Sequence, residues 1–382
     1  MVSAIFNSSG ASFWIPAYSL NDKVYKSYFF YIFAVFQIFI YCFTGYVIVR
    51  TCWIFLSIKV FHQNMNILMA WFLCQWFEAI IAKLVIIPYQ IGLISIGVDP
   101  DKTYYDWWAE DREEMIVIRE DIGITIIPLY ISSYFLWHYM YSILFAILAI
   151  GIERVCATYY IQDYEHVHRR HIPVLLILIT NCISIPYAYQ TTNNRISLVL
   201  TCFQCLLNGS IVFFGYFVLW RINLIWRNRI SSLKYSHNET YSLARKFQIE
   251  ENIRSLTLAR KLVISAVIFI SGVFFLLVFQ VFELTHGYDT FFVYALDNSI
   301  LLYVLPIFNQ NKNKSSNFFR PALVMSITLL FCSPAWKERF IVGCPGLRRL
   351  RDPRVAHIAQ NTKPSAVKET EVYFEQLRNA WT

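Results

Sequence analysis

Seven apolar stretches, each long enough to cross a bilayer, follow one another along this 382-residue chain with polar loops between them. A helix needs roughly 20 apolar residues to cross ~30 Å of hydrocarbon, and inside that layer every backbone N–H and C=O must be satisfied by the protein itself. Runs of this length meet the condition as α-helices. The spans are placed at Ser27 to Val49, Asn66 to Ile91, Gly123 to Ala149 or a little beyond, Ile172 to Tyr189, Ile196 to Leu219 and Leu262 to Phe282, with the seventh starting near Phe291. Composition agrees: 57% of the residues are hydrophobic and only 15% charged, against ~25% charged in soluble domains. The expected fold is an all-α membrane protein, a seven-transmembrane helix bundle.

The distribution of charge sets the orientation. Of the 33 Lys and Arg, 23 fall in the loops after spans 1, 3 and 5 and in the C-terminal tail, including nine within Arg221 to Lys261 and nine after Trp336. Six fall on the opposite side: Lys23, Lys26, Lys102, Arg112, Arg119 and Arg195. The positive-inside bias predicts the N-terminus outside and the C-terminus inside, which requires an odd number of spans. Residues 1–26 are then an extracellular N-terminal tail, 27–333 the bundle and 334–382 a basic cytoplasmic tail with a short amphipathic helix. Met1 to Lys26 lacks the residue order of a cleavable signal peptide, so span 1 is expected to act as its own signal. Asn7 heads an Asn-Ser-Ser glycosylation sequon on the expected outer side. In the tail, AWKERFIVGCPGLRRLR has the apolar spacing and basic flank of a helix lying on membrane lipids, with Cys344 a palmitoylation candidate. The formal charge of +8 does not point to nucleic acid, because the basic residues sit at span ends and not in a stripe with stacking aromatics.

Span 7 is interrupted. It begins FFVYALDNSILLYVLPIF, breaks into NQNKNKSSNFF and resumes as RPALVMSITLLFCSPAW. Removing the 16 residues 304–319 joins Phe291–Tyr303 to Arg320–Ser333, 27 residues of spanning length. The expected reading is a translated intron remnant in the gene model; the alternative is a real interruption in which Phe291 to Phe308 spans and Pro321 to Cys332 lies on or re-enters the membrane.

Ionisable residues inside the spans are the natural site candidates, because a charge at mid-bilayer costs ~3 kcal/mol unless it faces a partner. Glu153 and Arg154, at the end of span 3, can pair with each other, or Arg154 can turn toward spans 5 and 6 if the bundle repacks; the plainer reading is a surface ion pair worth at most about 1 kcal/mol. Glu78 and Lys83 in span 2 are five residues apart, poorly aligned for each other, and each is expected to find a partner on another helix, with Lys83 also able to extend toward the outer end. Tyr134, Trp137, His138 and Tyr141 repeat at helical spacing in the outer half of span 3. Together with Glu78 they are candidates to line a ligand pocket, though an aromatic stripe can equally be bundle core or lipid contact.

The loop between spans 2 and 3 mixes Asp and Glu with Tyr104, Tyr105, Trp107 and Trp108. It either caps a pocket or is a solvated linker whose aromatics sit at headgroup level. Leu243, Phe247, Ile249, Ile253 and Leu256 make the segment before span 6 amphipathic, a helix extending span 6 that a partner could read. His166, His168 and His171 lie among Arg169 and Arg170 without acidic or Cys companions at ligand spacing, and the nine cysteines are scattered, so no metal or cofactor is assigned. No phosphate loop, nucleophile elbow or HExxH string is present, so the chain is not read as an enzyme.

FWIPAY near the N-terminus, IIPYQIG ending span 2, GIERVCATYYIQDYE after span 3, FQIEEN before span 6 and SPAWKERF after span 7 together resemble the nematode serpentine chemoreceptors of class epsilon, the Sre family. The string ER-x-x-ATYY-x-x-DYE is the most specific part. The resemblance implies a G-protein-coupled-receptor-like protein of the plasma membrane, in chemosensory neurons and their cilia, that detects small environmental molecules and signals to a heterotrimeric G protein. It also implies that Glu153, Arg154, Asp163, Tyr164 and Glu165 form the coupling switch. The loop before span 3 has no Cys for the extracellular disulfide common in rhodopsin-like receptors. A second reading, a ligand-gated ion channel with seven helices and inverted topology, needs the N-terminus inside, which the charge pattern opposes. A transporter would show repeats between its halves, and none is visible.

Overall fold

The computed structural model describes residues 2–6, 10–17, 19–58, 62–97, 99, 102–104, 115–118, 123–160, 169–233, 249–250, 252–258 and 334–343. Spans 6 and 7, the interruption at 304–319, Asn7, Asp163, Tyr164, Glu165, His166, His168 and Cys344 lie outside them. Contacts divide the chain into two units, Met1–Leu329 and Leu330–Thr382. The first holds α1 (Tyr28–Ser57), α2 (Gln63–Cys74), α3 (Trp76–Gln90), α4 (Gly123–Tyr159), α5 (His171–Thr192) and α6 (Leu198–Leu233), with a small sheet of β1 (Val2–Phe6), β2 (Ser12–Ile15) and β3 (Ile116–Ile118). The second holds α7 (Pro334–Gly343), on which Trp336, Phe340 and Ile341 are buried at the spacing of one helix face.

Among the described residues, five helical stretches are long and apolar enough to cross a membrane: Phe30–Ser57, Gln63–Gln90, Ile124–Tyr159, His171–Thr192 and Leu207–Arg229. They correspond to spans 1 to 5, and all but the second run past the predicted C-terminal end, because polar and charged residues such as Arg50, Glu153 and Arg221 continue the helix beyond the apolar core. A loop composition signal marks the membrane boundary, not the helix end. Faces turned away from the bundle carry Ile32, Val35, Phe39, Phe213 and Phe214, all exposed, as expected of helices whose outward solvent is hydrocarbon. Helical Ser, Thr and Asn side chains donate back to the carbonyl four residues earlier, as Thr51 to Val47 at 2.7 Å, Ser133 to Leu129 at 2.8 Å and Thr192 to Ala188 at 2.8 Å. That local bond is how a small polar group is satisfied without water.

Span 2 is two helices meeting at Gln75. The Glu78 N–H bonds to the Gln75 carbonyl at 3.1 Å, a tightened turn that re-aims α3 relative to α2. α4 is the centre of the unit, packing on α2, α3, α5 and α6. Leu68 and Phe72 of α2 meet Ala146 and Ala149 of α4 and Leu176 of α5 in one buried cluster; the alanines let the helices approach.

Residues 1–26 are not only a tail. β1 pairs antiparallel with β2 from Val2↔Ile15 to Ile5↔Ser12, and parallel with β3 from Ala4↔Ile116 to Phe6↔Ile118. Bridges Leu20↔Tyr104 and Gly97↔Ile118 tie the loop after span 2 onto the same sheet. The described part of the acidic loop is thus a cap strand, which a solvated linker would not be. A Cβ at Gly97 would fall 2.0 Å from the Tyr104 hydroxyl, so only glycine lets that ring in. Loss of water around Tyr104 raises its phenol above the ordinary value, against a smaller lowering from its 3.3 Å bond to the Asp99 carbonyl.

Candidate functional site

Two polar clusters lie along α4, one toward its Tyr159 end and one around His138 near its middle. At the end carrying Tyr159, Glu153 and Arg154 are 0% and 1% exposed. Neighbouring residues on a helix point about 100° apart, yet the long guanidinium folds back on the carboxylate: Nε donates to Oε2 at 2.5 Å and Nη2 to Oε1 at 2.7 Å. This is the two-pronged Arg–carboxylate geometry, the strongest form of ion pair. The surface-pair alternative is therefore set aside on burial alone.

The third nitrogen reaches across the bundle. Arg154 Nη1 donates to Asn252 Oδ1 at 3.3 Å and to Ser255 Oγ at 3.4 Å. Asn252 Nδ2 in turn donates to Thr158 Oγ1 at 3.1 Å and to Asn223 Oδ1 at 3.2 Å, while Asn223 Nδ2 reaches Leu219 O at 2.9 Å and Thr158 Oγ1 at 3.4 Å. Thr158 spends its own proton on the Arg154 carbonyl at 2.8 Å. Three segments, α4, α6 and the helical stretch 252–258, thus share one buried network. Ile249 packs on Trp226 and Ile253 beside it, and Arg227 pairs with Glu250 at 2.9 Å on the surface. Gly151 and Tyr216 hold α6 against α4 one turn earlier: a Cβ at Gly151 would touch the Tyr216 ring at 3.4 Å, and the Tyr216 hydroxyl donates to Ile147 O at 3.1 Å.

Thr158, Asn223, Asn252 and Ser255 were not singled out in the sequence, although Thr158 and Asn252 lie in the ATYY and FQIEEN strings. Their only signal is an amide or hydroxyl within a helix, which the sequence does not distinguish from a solvated one.

At the sheet end, Glu78 Oε1 meets His138 Nδ1 at 2.7 Å, bridging α3 to α4. Lys83 is buried and donates to Gln90 Oε1 at 2.9 Å, so it does not extend into solvent as one reading allowed. Trp137 and Tyr141 are buried with Ala188 of α5 and Trp14 of β2, and Tyr134, Leu144, Phe145 and Tyr187 pack around them. Tyr141 stacks on Tyr187 with centroids 5.6 Å apart and shares a 2.7 Å hydrogen bond with Thr191. The structure brings the five pocket candidates to one stretch of α4, Tyr134 to Tyr141, and the α3 residue facing it, split between two faces: Glu78 and His138 toward α3, Trp137 and Tyr141 toward α5. Beside them runs a short polar chain, Gln75 Nε2 to Ser142 Oγ at 3.2 Å and Ser142 Oγ to Ser184 Oγ at 3.2 Å. Among the described residues no group of three or more His, Cys, Asp or Glu side chains is placed to hold a metal.

The family model described as Sre G protein-coupled chemoreceptor matches residues 1–310 and 314–382. The chain belongs to the Sre family. Serpentine receptor class epsilon-37 of Caenorhabditis elegans is 62% identical to it over the full length of both chains. Serpentine receptor class epsilon-38 of the same organism is 36% identical over 98% of this chain and 99% of its own, and serpentine receptor class epsilon-27 is 26% identical over 97% and 96%. No solved structure matches. Membership makes this Sre chain a multi-pass membrane protein of a chemoreceptor family and places it outside the enzyme families.

Proposed function

We propose that this Sre protein is a seven-helix receptor with its N-terminus outside and its C-terminus inside, which detects a small environmental molecule at the sheet end and passes the signal to a heterotrimeric G protein at the other. The observation that carries the reading is the Glu153–Arg154 pair: an ionised pair buried at a helix end, tied by Asn252, Thr158 and Asn223 to two other segments. Such a network has two satisfiable arrangements, one with Arg154 held inward and one with it released toward the inner surface. Coupling between two sites needs a two-state element of this kind, on which ligand and partner have different preferences.

In this reading Asp163, Tyr164 and Glu165 extend the coupling surface, 27–333 is the bundle, 334–382 is the cytoplasmic tail anchored through Cys344, and Asn7 carries a glycan. The protein works in the plasma membrane, in the sensory cilium. Residues 304–319 are read as part of the chain and not as the expected intron remnant, a reading supported by a family match that breaks only at 311–313; a transcript lacking those codons as its dominant form would refute this. Epitope tags at both termini, read in intact and permeabilised cells, test the whole arrangement. An exposed N-terminal tag with a hidden C-terminal tag supports the receptor. Both tags on one side mean an even number of spans, and the inverse orientation favours the channel.

A further inference from the structure

Trp14 is 1% exposed although it lies in the first fifteen residues of the chain. Its strand, β2, is the edge of the sheet and lies on both α4 and α5. The strand is stitched to those helices along its length: Ser12 Oγ accepts from Asn194 Nδ2 at 3.3 Å, Phe13 meets Tyr130 edge-on at 5.6 Å, and Tyr130 shares hydrogen bonds with Asn193. The next residue, Trp14, enters the cluster of Trp137, Tyr141 and Ala188.

The surroundings of Trp14 describe the shape of what fits there. Trp137 and Tyr141 are tilted 33° with centroids 6.4 Å apart, and Tyr141 and Tyr187 are stacked at 29°. Ring faces of this kind select another flat ring, by offset or edge contact. Ala188, fully buried in the same cluster, adds only a methyl group to the lining. We propose that this slot is the receptor's site for a flat aromatic ligand of about the size of an indole, and that Trp14 is its resident occupant, which the ligand displaces by lifting the N-terminal hairpin. The inference rests on the reading of the sheet end as the ligand-binding end. It also gives the hairpin a reason to exist: lifting β1 and β2 together keeps their own pairing and breaks only the short ladder of β1 on β3, Ala4↔Ile116 to Phe6↔Ile118, with the contacts that β2 makes on α4 and α5.

A resident side chain that must leave first weakens the apparent affinity by the fraction of time it spends outside. Removing it uncovers the slot, and a dry apolar cavity accepts an apolar guest. The probe is indole, added to full-length receptor purified in detergent and followed by thermal unfolding. Trp14→Ala is expected to show a saturable rise in Tm with indole, with an apparent affinity about ten-fold or more above that of the native chain. Refilling the slot in Trp14→Ala/Ala188→Phe is expected to abolish the effect. Equal affinity in the native chain and Trp14→Ala, or no saturable binding to a folded Trp14→Ala, overturns the proposal.

If Trp14→Ala does not fold, hydrogen exchange of the native chain decides: saturating indole should speed exchange of the amides in β1 and β2, and unchanged exchange overturns the proposal. The readouts separate this inference from the receptor reading. Signalling that is lost in Trp137→Ala, together with no indole binding to Trp14→Ala, overturns the plug and leaves the receptor; indole binding to Trp14→Ala without any cellular response supports the plug and counts against the receptor.

Discussion

Glu153→Gln is the sharpest test of the buried pair. The two Arg154 bonds to Glu153, at 2.5 and 2.7 Å, both end on carboxylate oxygens. A carboxamide offers one oxygen and one NH2, so at least one guanidinium N–H would face a donor, and the charge of a side chain 1% exposed would lose its counter-ion. Removing one partner of a buried pair costs about 3–5 kcal/mol, because the remaining charge is stranded. For a chain of this length the usual unfolding entropy makes 1 kcal/mol worth roughly 1–2 °C, so Tm should fall by about 3–10 °C. Arg154→Gln should cost a comparable amount by leaving Glu153 unpaired. The double variant Glu153→Gln/Arg154→Gln, with two neutral groups able to bond each other, should recover most of the loss, giving a coupling energy of about 2 kcal/mol or more in the cycle. The same stranding should favour the arrangement with Arg154 released, seen as raised basal signalling in Glu153→Gln. The assay is thermal unfolding of the four proteins in one detergent. Single variants within ~0.5 kcal/mol of the native chain, or losses that simply add, would refute the claim that this pair is a buried, mutually dependent unit.

Asn252→Leu removes the acceptor of Arg154 Nη1 and the donor to Thr158 and Asn223; a hydrogen bond to a charged group is worth about 1.5–3 kcal/mol, and the stability loss should shrink by about that much, without vanishing, in a chain already carrying Arg154→Gln, an unchanged loss showing that the two residues do not interact. His138→Phe leaves the Glu78 carboxylate without its 2.7 Å partner; with Glu78 still partly exposed the expected loss is about 1–3 kcal/mol, recovered in Glu78→Gln/His138→Phe, and an equal loss in the single and double variants would show that the two do not interact. Gly97→Ala places a methyl 2.0 Å from the Tyr104 hydroxyl, so the Leu20↔Tyr104 bridge should open, read as faster hydrogen exchange at the Leu20 and Tyr104 amides. Exchange unchanged from the native chain would mean that the ring moves aside without disturbing the cap.

Spans 1 to 5 were legible because hydrocarbon leaves the backbone no alternative to a helix over a long apolar run. The helix ends were less legible, since Arg50, Arg221 and Arg227 lower the hydropathy of a segment without stopping its hydrogen-bond ladder. Glu153, Arg154 and Glu78 stood out as charges where charges are expensive. Their partners did not: a 98-residue separation joins Arg154 to Asn252, and 60 residues join Glu78 to His138, distances over which no local pattern reports contact.

By itself, then, the sequence determined that this chain is a bundle of membrane-length helices, which of its charged groups need shelter, and the family it belongs to, because those properties follow from the solvent each residue type tolerates. Only the tertiary structure decided that Val2–Phe6 and Ser12–Ile15 are strands of a sheet laid on the helices. Val2 to Phe6 and Ser12 to Ile15 are too short to declare themselves as strands, and they become a sheet only because Ile116 to Ile118 arrives beside β1 from more than a hundred residues away and α4 and α5 offer Trp14 a place to be buried. The same holds for the network around Arg154. An asparagine in a helix is unremarkable until packing removes water from it, and from then on the partner it finds is decided by which helices were brought together.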